Sequence, residues 1–289
     1  MTTPSTRLGD LLRRHGLKPR KGLGQNFLAD PVHLDRIVEA AELSSDDLVL
    51  EVGPGVGTLT VRLAARAGHV VAIELDQKLF PALEEVLSQS PNVTVIHGDI
   101  LQLTPTQLTI DHRQFTIDDY KVVANLPYYI TSAAIRHLLT TDRPPTLLVL
   151  TVQREVAQRI VAQPPDMSLL AISVQFYAKP EIVARIPAGA FYPAPKVDST
   201  ILRLRVGMNP AVQVASEDDF FRVVRAGFSQ RRKQLRNALK GGLGLTPLQA
   251  TALLEAAEVA PQRRAETLSL GEWAKLANNW HYSSASGKA

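Results

Sequence analysis

Short apolar runs rich in β-branched residues alternate with helix-like patterns over the first two thirds of the chain. The first five of these runs lack the alternation of apolar and polar positions that a half-exposed sheet shows, which is typical of parallel strands covered on both faces. The predicted strands are 47–53, 69–75, 92–98, 120–125, 146–153, 180–187 and 199–206. The helices predicted to alternate with the first five of these strands are 31–43, 57–68, 77–89, 131–140 and 154–163. The alternation predicts a doubly wound α/β sheet that binds its ligands at the carboxyl ends of the strands.

The β signal stops after Gly207, and the remaining sequence has the apolar spacing of short amphipathic helices. These helices are predicted at 217–229, 230–240, 247–257 and 269–279. We therefore predict an α/β domain followed by a small, all-helical C-terminal domain. The predicted parts are a basic N-terminal arm (1–22), the α/β domain (23–207), the helical domain (208–282) and a flexible tail (283–289).

Positive charge is concentrated at the two ends of the chain. The formal net charge is +4, and it divides into +5 over residues 1–22, −5 over 23–206 and +4 over 207–289. Such a distribution favours a polyanionic partner, although solvated tails and helix faces would produce it about as often.

Composition excludes several kinds of site. There is no cysteine, so disulfides and thiolate metal sites are ruled out, and the seven histidines are scattered rather than clustered as metal ligands. No stretch approaches the roughly 20 apolar residues of a membrane span, and the first residues contain no apolar signal core. The sequence therefore predicts a cytoplasmic protein with no bound metal.

Three consecutive strand ends carry residues suited to an adenosine. The stretch EVGPGVGTL (51–59) places Gly53 and Gly55 where the backbone passes close to a ligand, in a G-x-G-x-G pattern that differs from the dinucleotide fingerprint. Glu74 ends the second strand, at the spacing of a carboxylate that accepts ribose hydroxyls. Asp99 follows the third strand and can accept an adenine amino group. Each feature alone would be an ordinary turn or a solvated acid, but together they predict an adenosine pocket.

The fourth strand ends in the sequence NLPY, which suits chemistry on an exocyclic amine. The lone pair of such an amine is delocalised into the base, so the amine is a poor nucleophile. The side-chain oxygen of Asn125 and the carbonyl of Leu126 or Pro127 can accept its two hydrogens and hold the nitrogen pyramidal. Tyr128 can stack on the base. A sulfonium methyl donor needs no strong general base, because positioning supplies much of the acceleration. In isolation, the motif would read as an Asn-capped turn with a core tyrosine.

These motifs resemble those of the KsgA/RsmA family of ribosomal RNA adenine dimethyltransferases, which belong to the Rossmann-like class I methyltransferases that use S-adenosylmethionine. The resemblance covers nearly the whole chain and rests on Glu74 and on the segments 22–28, 51–60, 98–100, 125–130, 191–200 and 228–239. The segments at 22–28, 125–130, 191–200 and 228–239 are together highly specific, whereas the glycine turn and the lone acids would fit most methyltransferases.

The resemblance implies S-adenosylmethionine as cofactor and assigns its contacts. With Gly55 of the glycine turn, the cofactor-binding residues are Gln25, Asn26, Leu28, Gly53, Gly55, Glu74, Asp99 and Asn125. The residues expected at the target adenine are Asn125, Leu126, Pro127 and Tyr128, with Phe191 as a second stacking ring. The segment 22–28, which otherwise looks like a polar linker, becomes a lid over the cofactor, and Phe191 could otherwise be a core residue.

A basic segment in the helical domain gives the predicted RNA contacts, which are Arg231, Arg232, Lys233 and Arg236. On a helix over 230–240, Arg232, Arg236 and Lys240 would share one face at i, i+4 spacing. Such a run usually marks a solvated helix face, but beside an adenine pocket it favours RNA phosphate binding.

The resemblance implies dimethylation of N6 on two adjacent adenosines in a 3′-terminal hairpin of small-subunit (16S) rRNA. The expected partner is the immature 30S subunit, met by a monomer with no membrane attachment. Two alternatives stay open. One is a large-subunit rRNA adenine methyltransferase of the macrolide-resistance type, and the other is a mainly non-catalytic small-subunit assembly factor. The loop 102–120 matches no motif.

Overall fold

The computed structural model describes residues 4–103, 119–230 and 232–286. Most of the loop 102–120 and the predicted RNA contact Arg231 lie outside these residues. The chain forms two compact units, Met1–Ala157 with Pro180–Val206 and Gln158–Lys179 with Gly207–Ala289.

A seven-stranded sheet forms the centre of the first unit. The strands of the chain are β1 (Phe27–Leu28), β2 (Leu48–Val52), β3 (His69–Glu74), β4 (Val93–His97), β5 (Tyr120–Asn125), β6 (Leu147–Gln153), β7 (Ala178–Ile186), β8 (Phe191–Tyr192) and β9 (Ser199–Val206). The order in the sheet is β4-β3-β2-β5-β6-β9-β7. The five neighbouring strands β4, β3, β2, β5 and β6 run parallel to one another, and β9 runs antiparallel to β6. The predicted fold class is confirmed, and each predicted strand forms within about two residues of its expected bounds.

Eleven α-helices are present among the described residues. They are α1 (Pro4–Arg14), α2 (Pro31–Ala40), α3 (Thr60–Ala64), α4 (Phe80–Leu87), α5 (Thr131–Leu139), α6 (Arg154–Ile160), α7 (Leu169–Gln175), α8 (Glu217–Phe228), α9 (Leu235–Leu243), α10 (Pro247–Ala256) and α11 (Leu270–Ser286). The described parts of the chain contain no helix with the length and apolar character needed to span a membrane.

Helices cover the middle of the sheet, where β2, β3, β5 and β6 are buried on both faces. Helix α2 begins at the Asp30 cap, whose carboxylate accepts the backbone N–H groups of Val32 and His33. Its buried face, with Leu34 and Ile37, joins Leu63 of α3 in one core cluster with strand residues of the sheet, including Val49 and Val123. The carboxyl ends of the parallel strands are left open between the helices, as the doubly wound arrangement predicts.

The N-terminal segment is more ordered than a basic arm. Helix α1 buries Leu8, Leu11 and Leu12, which share a core cluster with Phe27 and Val56. Their i, i+3, i+4 spacing is the pattern of an amphipathic helix. The prediction of a basic arm was based only on the charge of this segment. The segment 4–14 is therefore a helix of the first unit, with Arg13 and Arg14 exposed.

The second unit has its own core, built from α7 to α11. Phe176 and Phe220 stack with ring centroids 4.6 Å apart, and Trp273 is fully buried in the same cluster. The segment 158–179, which the sequence analysis placed in the α/β domain, belongs to this unit because Ile172 and Phe176 pack into its core. Helix α7 was not predicted, since its short apolar run has no polar face to reveal a helical period.

Candidate active site

One cavity in the first unit lies at the carboxyl ends of β4, β3, β2 and β5. It is bordered by every residue predicted to bind the cofactor or the target adenine, namely Gln25, Asn26, Leu28, Gly53, Gly55, Glu74, Asp99, Asn125, Leu126, Pro127, Tyr128 and Phe191. The cavity has two sides. We call Glu51, Gly53, Glu74, Asp99 and Asn125 the strand-end wall, and residues 23–28 the N-terminal wall.

Glu74 anchors the strand-end wall at the end of β3. Only 6% of the residue is exposed, and its carboxylate accepts the backbone N–H of Gly55 at 3.0 Å and of Asp76 at 2.7 Å. Burial raises the pKa of Glu74, while these two hydrogen bonds favour its charged form. A carboxylate has about four acceptor positions, so these hydrogen bonds leave acceptor capacity for a hydroxyl group of a ligand.

The glycine turn after β2 is fitted closely to its surroundings. Gly55 has φ +63°, and a Cβ built on it would lie 2.9 Å from the ring of Phe27. A side chain would therefore be strained and would collide with the N-terminal wall. The glycine lets the Gly55 N–H reach Glu74 and lets Phe27 pack against the turn.

Glu51 is a residue of the strand-end wall that the predicted site left out. It lies within β2, is 1% exposed, and its Oε2 has no hydrogen-bond partner. Burial, with a smaller contribution from the charge of Glu74, raises the pKa of Glu51 to about 8. The sequence signal was present, because this acid opens the stretch EVGPGVG, but a strand acid two residues before a glycine turn gives no sign of its burial.

The N-terminal wall is tied by side chains to Asp76, which lies two residues beyond Glu74 of the strand-end wall. Gln25 donates from Nε2 to Asp76 at 2.9 Å and accepts the backbone N–H of Arg20 at 2.8 Å. Arg20 also donates to Asp76 at 3.1 Å, and Asp76 is 4% exposed. Because these contacts engage both ends of the Gln25 amide, the side chain holds the wall in place, and its assignment to the cofactor stays a prediction.

Asn125 is oriented by the same wall. Its Nδ2 donates to the backbone oxygen of Asn26 at 3.0 Å. The side-chain Nδ2 of Asn26 in turn donates to the backbone oxygen of Gly24 at 3.1 Å. The Oδ1 of Asn125 is therefore the atom of its amide that can accept hydrogens from a ligand. Asp99, at the end of β4, uses Oδ1 to accept the backbone N–H of Leu101 at 2.9 Å.

The two predicted stacking rings are held by different contacts. The hydroxyl of Tyr128 is paired with Oγ of Ser199 on β9 at 2.7 Å. Phe191 is 4% exposed and belongs to β8, which pairs antiparallel with β1 so that Phe191 lies opposite Leu28. This two-stranded pairing was not predicted, because strands of two residues have no readable period. It brings the motifs 22–28 and 191–200 together at the cavity.

The basic segment of the second unit differs from its prediction. Helix α9 begins at Leu235, whose side chain is buried. The backbone N–H of Leu235 donates to the backbone oxygen of Arg263 at 2.7 Å. Arg232 and Lys233 therefore precede the helix, and only Arg236 and Lys240 lie on it at i, i+4 spacing. All four side chains are exposed. The predicted helix over 230–240 was wrong at its start, because burial of Leu235 sets where the helix begins.

The glycine turn, the acids at two neighbouring strand ends and the Asn-Leu-Pro-Tyr turn, on a sheet completed by antiparallel β9, define a Rossmann-like methyltransferase that uses S-adenosylmethionine. A family model for ribosomal RNA adenine dimethylase matches residues 16–280. The chain belongs to this family.

Two similar proteins share one name, ribosomal RNA small subunit methyltransferase A. The protein of Dehalococcoides mccartyi is 48% identical over 267 residues, which are 92% of this chain and 90% of the relative. That of Moorella thermoacetica is 46% identical over 281 residues, covering 96% of this chain and 97% of the relative.

Two solved structures share the fold over most of their length. The dimethyladenosine transferase of Plasmodium falciparum has a TM-score of 0.77 and 26% identity, covering 89% of this chain and 98% of that one. The 23S rRNA methyltransferase ErmE has a TM-score of 0.70 and 30% identity, covering 88% of this chain and 99% of that one.

Proposed function

We propose that this protein transfers methyl groups from S-adenosylmethionine to N6 of two adjacent adenosines in a 3′-terminal hairpin of 16S rRNA, as a cytoplasmic monomer acting on the immature small subunit. The observation that carries the proposal is the orientation of Asn125. Its Nδ2 is held by the backbone of Asn26, so Oδ1 is the atom presented to an incoming amine.

The residues of the strand-end wall fit the cofactor. Glu74 retains acceptor capacity for a ribose hydroxyl, and Asp99 for the adenine amino group. The buried, unpartnered Oε2 of Glu51 borders the cavity and suits a cationic group of the ligand, because an opposite charge offsets the cost of ionising a buried acid. When bound, the cofactor supplies a methyl group already activated by the positive charge on its sulfur.

The protein's own contribution is positioning of the amine. We expect Asn125 Oδ1 and a backbone carbonyl of the Leu126–Pro127 turn to accept the two N6 hydrogens, so that the nitrogen lone pair faces the methyl donor. Pro127 has no N–H that could compete for the lone pair. Tyr128, fixed by Ser199, would stack on the flipped-out base, with Phe191 as a second apolar surface.

The direct test is transfer of labelled methyl from S-adenosylmethionine to purified small subunits that lack the modification, with large subunits and free DNA as controls. N6,N6-dimethyladenosine found only in the small-subunit RNA is the expected result. Label in no RNA, with cofactor still bound, would contradict the proposal and would favour a non-catalytic assembly factor.

One alternative has an observation in its favour. ErmE, which is named as a 23S rRNA methyltransferase, shares the fold and is 30% identical to this chain. The fold and its cavity therefore do not by themselves identify the RNA substrate. The small-subunit methyltransferases are more similar, at 46–48% identity over more than nine tenths of this chain. Label appearing in large-subunit RNA in the same assay would decide for the alternative.

We further propose that Arg232, Lys233 and Arg236 bind RNA phosphates. Replacing both Arg232 and Arg236 with Glu should weaken small-subunit binding and flatten its salt dependence, because each lost phosphate contact lowers the slope of log K against log salt by roughly 0.9. Filter binding between 50 and 300 mM salt measures this slope. Affinity for S-adenosylmethionine should be unchanged, and an unaltered slope would contradict the assignment.

A further inference from the structure

Tyr129 is an aromatic residue at the cavity that the proposed chemistry does not use. It directly follows Tyr128 in the single turn Tyr128–Ile130, borders the same cavity, and is 61% exposed. Because it lies at the rim of a ligand site, this exposed ring is available as a stacking surface for a base.

The two neighbouring tyrosines leave the turn toward different elements. The Tyr128 hydroxyl is bonded to Ser199, whereas the ring of Tyr129 lies beside Gly24 of the N-terminal wall. A Cβ built at Gly24 would be 3.3 Å from Cδ1 of Tyr129 and 3.4 Å from Cβ of Pro127. The absence of a side chain at Gly24, which has φ +62°, therefore leaves room for the ring to pack against the backbone.

A flipped adenosine leaves a neighbour that has lost its stacking partner. Extrusion of a base breaks its stack with the adjacent base, and the cost is of the order of a few kcal/mol. An aromatic ring beside the pocket can take over that stack without reading sequence, because every base has a π face. Tyr129 is placed for this contact, since it adjoins the ring expected to stack on the target base.

We propose that Tyr129 is a second base-stacking site, which holds the nucleotide next to the target adenosine in the RNA. This inference rests on the proposed function. If the substrate carries two adjacent adenosines, the base on Tyr129 during one transfer is the target of the other, so the site would keep the second adenosine close to the pocket between transfers. The phenol hydroxyl is not required, because stacking uses the ring face.

The experiment compares four variants at this one position: Tyr129→Phe and Tyr129→Trp keep a flat ring, Tyr129→Leu keeps apolar bulk, and Tyr129→Ala removes both. The readouts are KM and kcat for methyl transfer to unmodified small subunits, and the Kd of S-adenosylmethionine measured by calorimetry. A stack worth 1–3 kcal/mol corresponds to a rise in KM of roughly 5- to 150-fold in Ala and Leu, with Phe and Trp within about threefold of wild type.

Two results would overturn the inference. Unchanged KM in all four variants would show that no base stacks there. A rise in the Kd of S-adenosylmethionine that matches the rise in KM, or a Leu variant equal to Phe, would show that the ring only covers the cofactor. The failure of the proposed function is distinguishable, because the wild-type protein would then transfer no methyl to small-subunit RNA.

Discussion

The two walls of the cavity are built by different means. The strand-end wall consists of residues that each end, or lie in, one of four neighbouring parallel strands, so the backbone hydrogen bonds of the sheet fix their spacing. The N-terminal wall contains no element longer than the two residues of β1. It is held by contacts with distant parts of the chain, such as Gln25 with Asp76, 51 residues away, and Asn26 with Asn125, 99 residues away.

The difference indicates a division of labour. The strand-end wall carries the chemistry and the buried acids, and its backbone is held by the sheet, whereas the amide of Asn125 also depends on Asn26 of the other wall. The N-terminal wall is a cover whose few hydrogen bonds can be broken singly. We therefore expect substitutions in the strand-end wall to affect methyl transfer or the ionisation of its acids. Substitutions in the N-terminal wall should affect the affinity for the cofactor.

The largest effect is expected for Asn125→Ala, which breaks the strand-end wall at its reacting position. Loss of the Oδ1 acceptor should lower kcat about a hundredfold or more, by comparison with the removal of one preorganised hydrogen-bonding group from other active sites. Affinity for S-adenosylmethionine should fall much less, since Glu74 and Asp99 remain. Single-turnover transfer and calorimetry separate the two quantities, and full methylation by the variant would contradict the amine-positioning mechanism.

An intermediate effect is expected for Asp76→Ala, which removes the carboxylate that Gln25 and Arg20 share and so frees the N-terminal wall from Asp76. Hydrogen bonds to a charged, buried acceptor are worth about 1.5–3 kcal/mol, and the half-exposed Arg20 contributes less, so the Kd of S-adenosylmethionine should rise about tenfold. The value of kcat at saturating cofactor should stay within about threefold, because the wall touches no reacting atom.

A matched control for this variant is Glu85→Ala. Glu85 binds Arg14 and His15 of the same N-terminal segment but does not border the cavity. It should leave the cofactor Kd unchanged. Equal losses of cofactor affinity in the two variants would show that the whole segment, rather than the tie at Asp76, encloses the cofactor.

The last expected effect concerns Glu51 and appears as a pH dependence of stability. The folded protein retains a proton on Glu51 up to about pH 8, whereas the unfolded chain loses it near its ordinary pKa of 4.5. The free energy of unfolding should therefore fall as pH rises through this interval, by about 1.4 kcal/mol per unit from this group. Glu51→Gln removes that component.

Urea denaturation of the wild-type protein and the Glu51→Gln variant between pH 5.5 and 8.5 measures the difference. Glu74, whose pKa is also raised, contributes in the same direction to both proteins, so only the difference between the two curves reports on Glu51. The variant should gain stability relative to wild type as the pH rises. Parallel curves would show that Glu51 ionises normally in the folded state.

Much of this molecule could be predicted because its signals are local. Strands β2 to β5 are largely apolar runs, and a glycine, an acid or the Asn-Leu-Pro-Tyr turn lies at or within two residues of each carboxyl end, so fold class and strand-end wall both followed from short stretches of sequence. Local signals failed where packing prevailed. Charge concealed the apolar face of α1, α7 had no polar face, and burial of Leu235 placed the start of α9 after Arg232.

The sequence by itself determined the sheet, the order of its strand ends and the residue types offered there, because each depends on neighbours in the chain. Only the tertiary structure decided that Gln25 binds Asp76, that Oε2 of Glu51 is buried without a hydrogen-bond partner, and that Tyr129 lies open beside Gly24. These features depend on contacts between segments far apart in sequence, and such contacts form only when the fold brings the segments together.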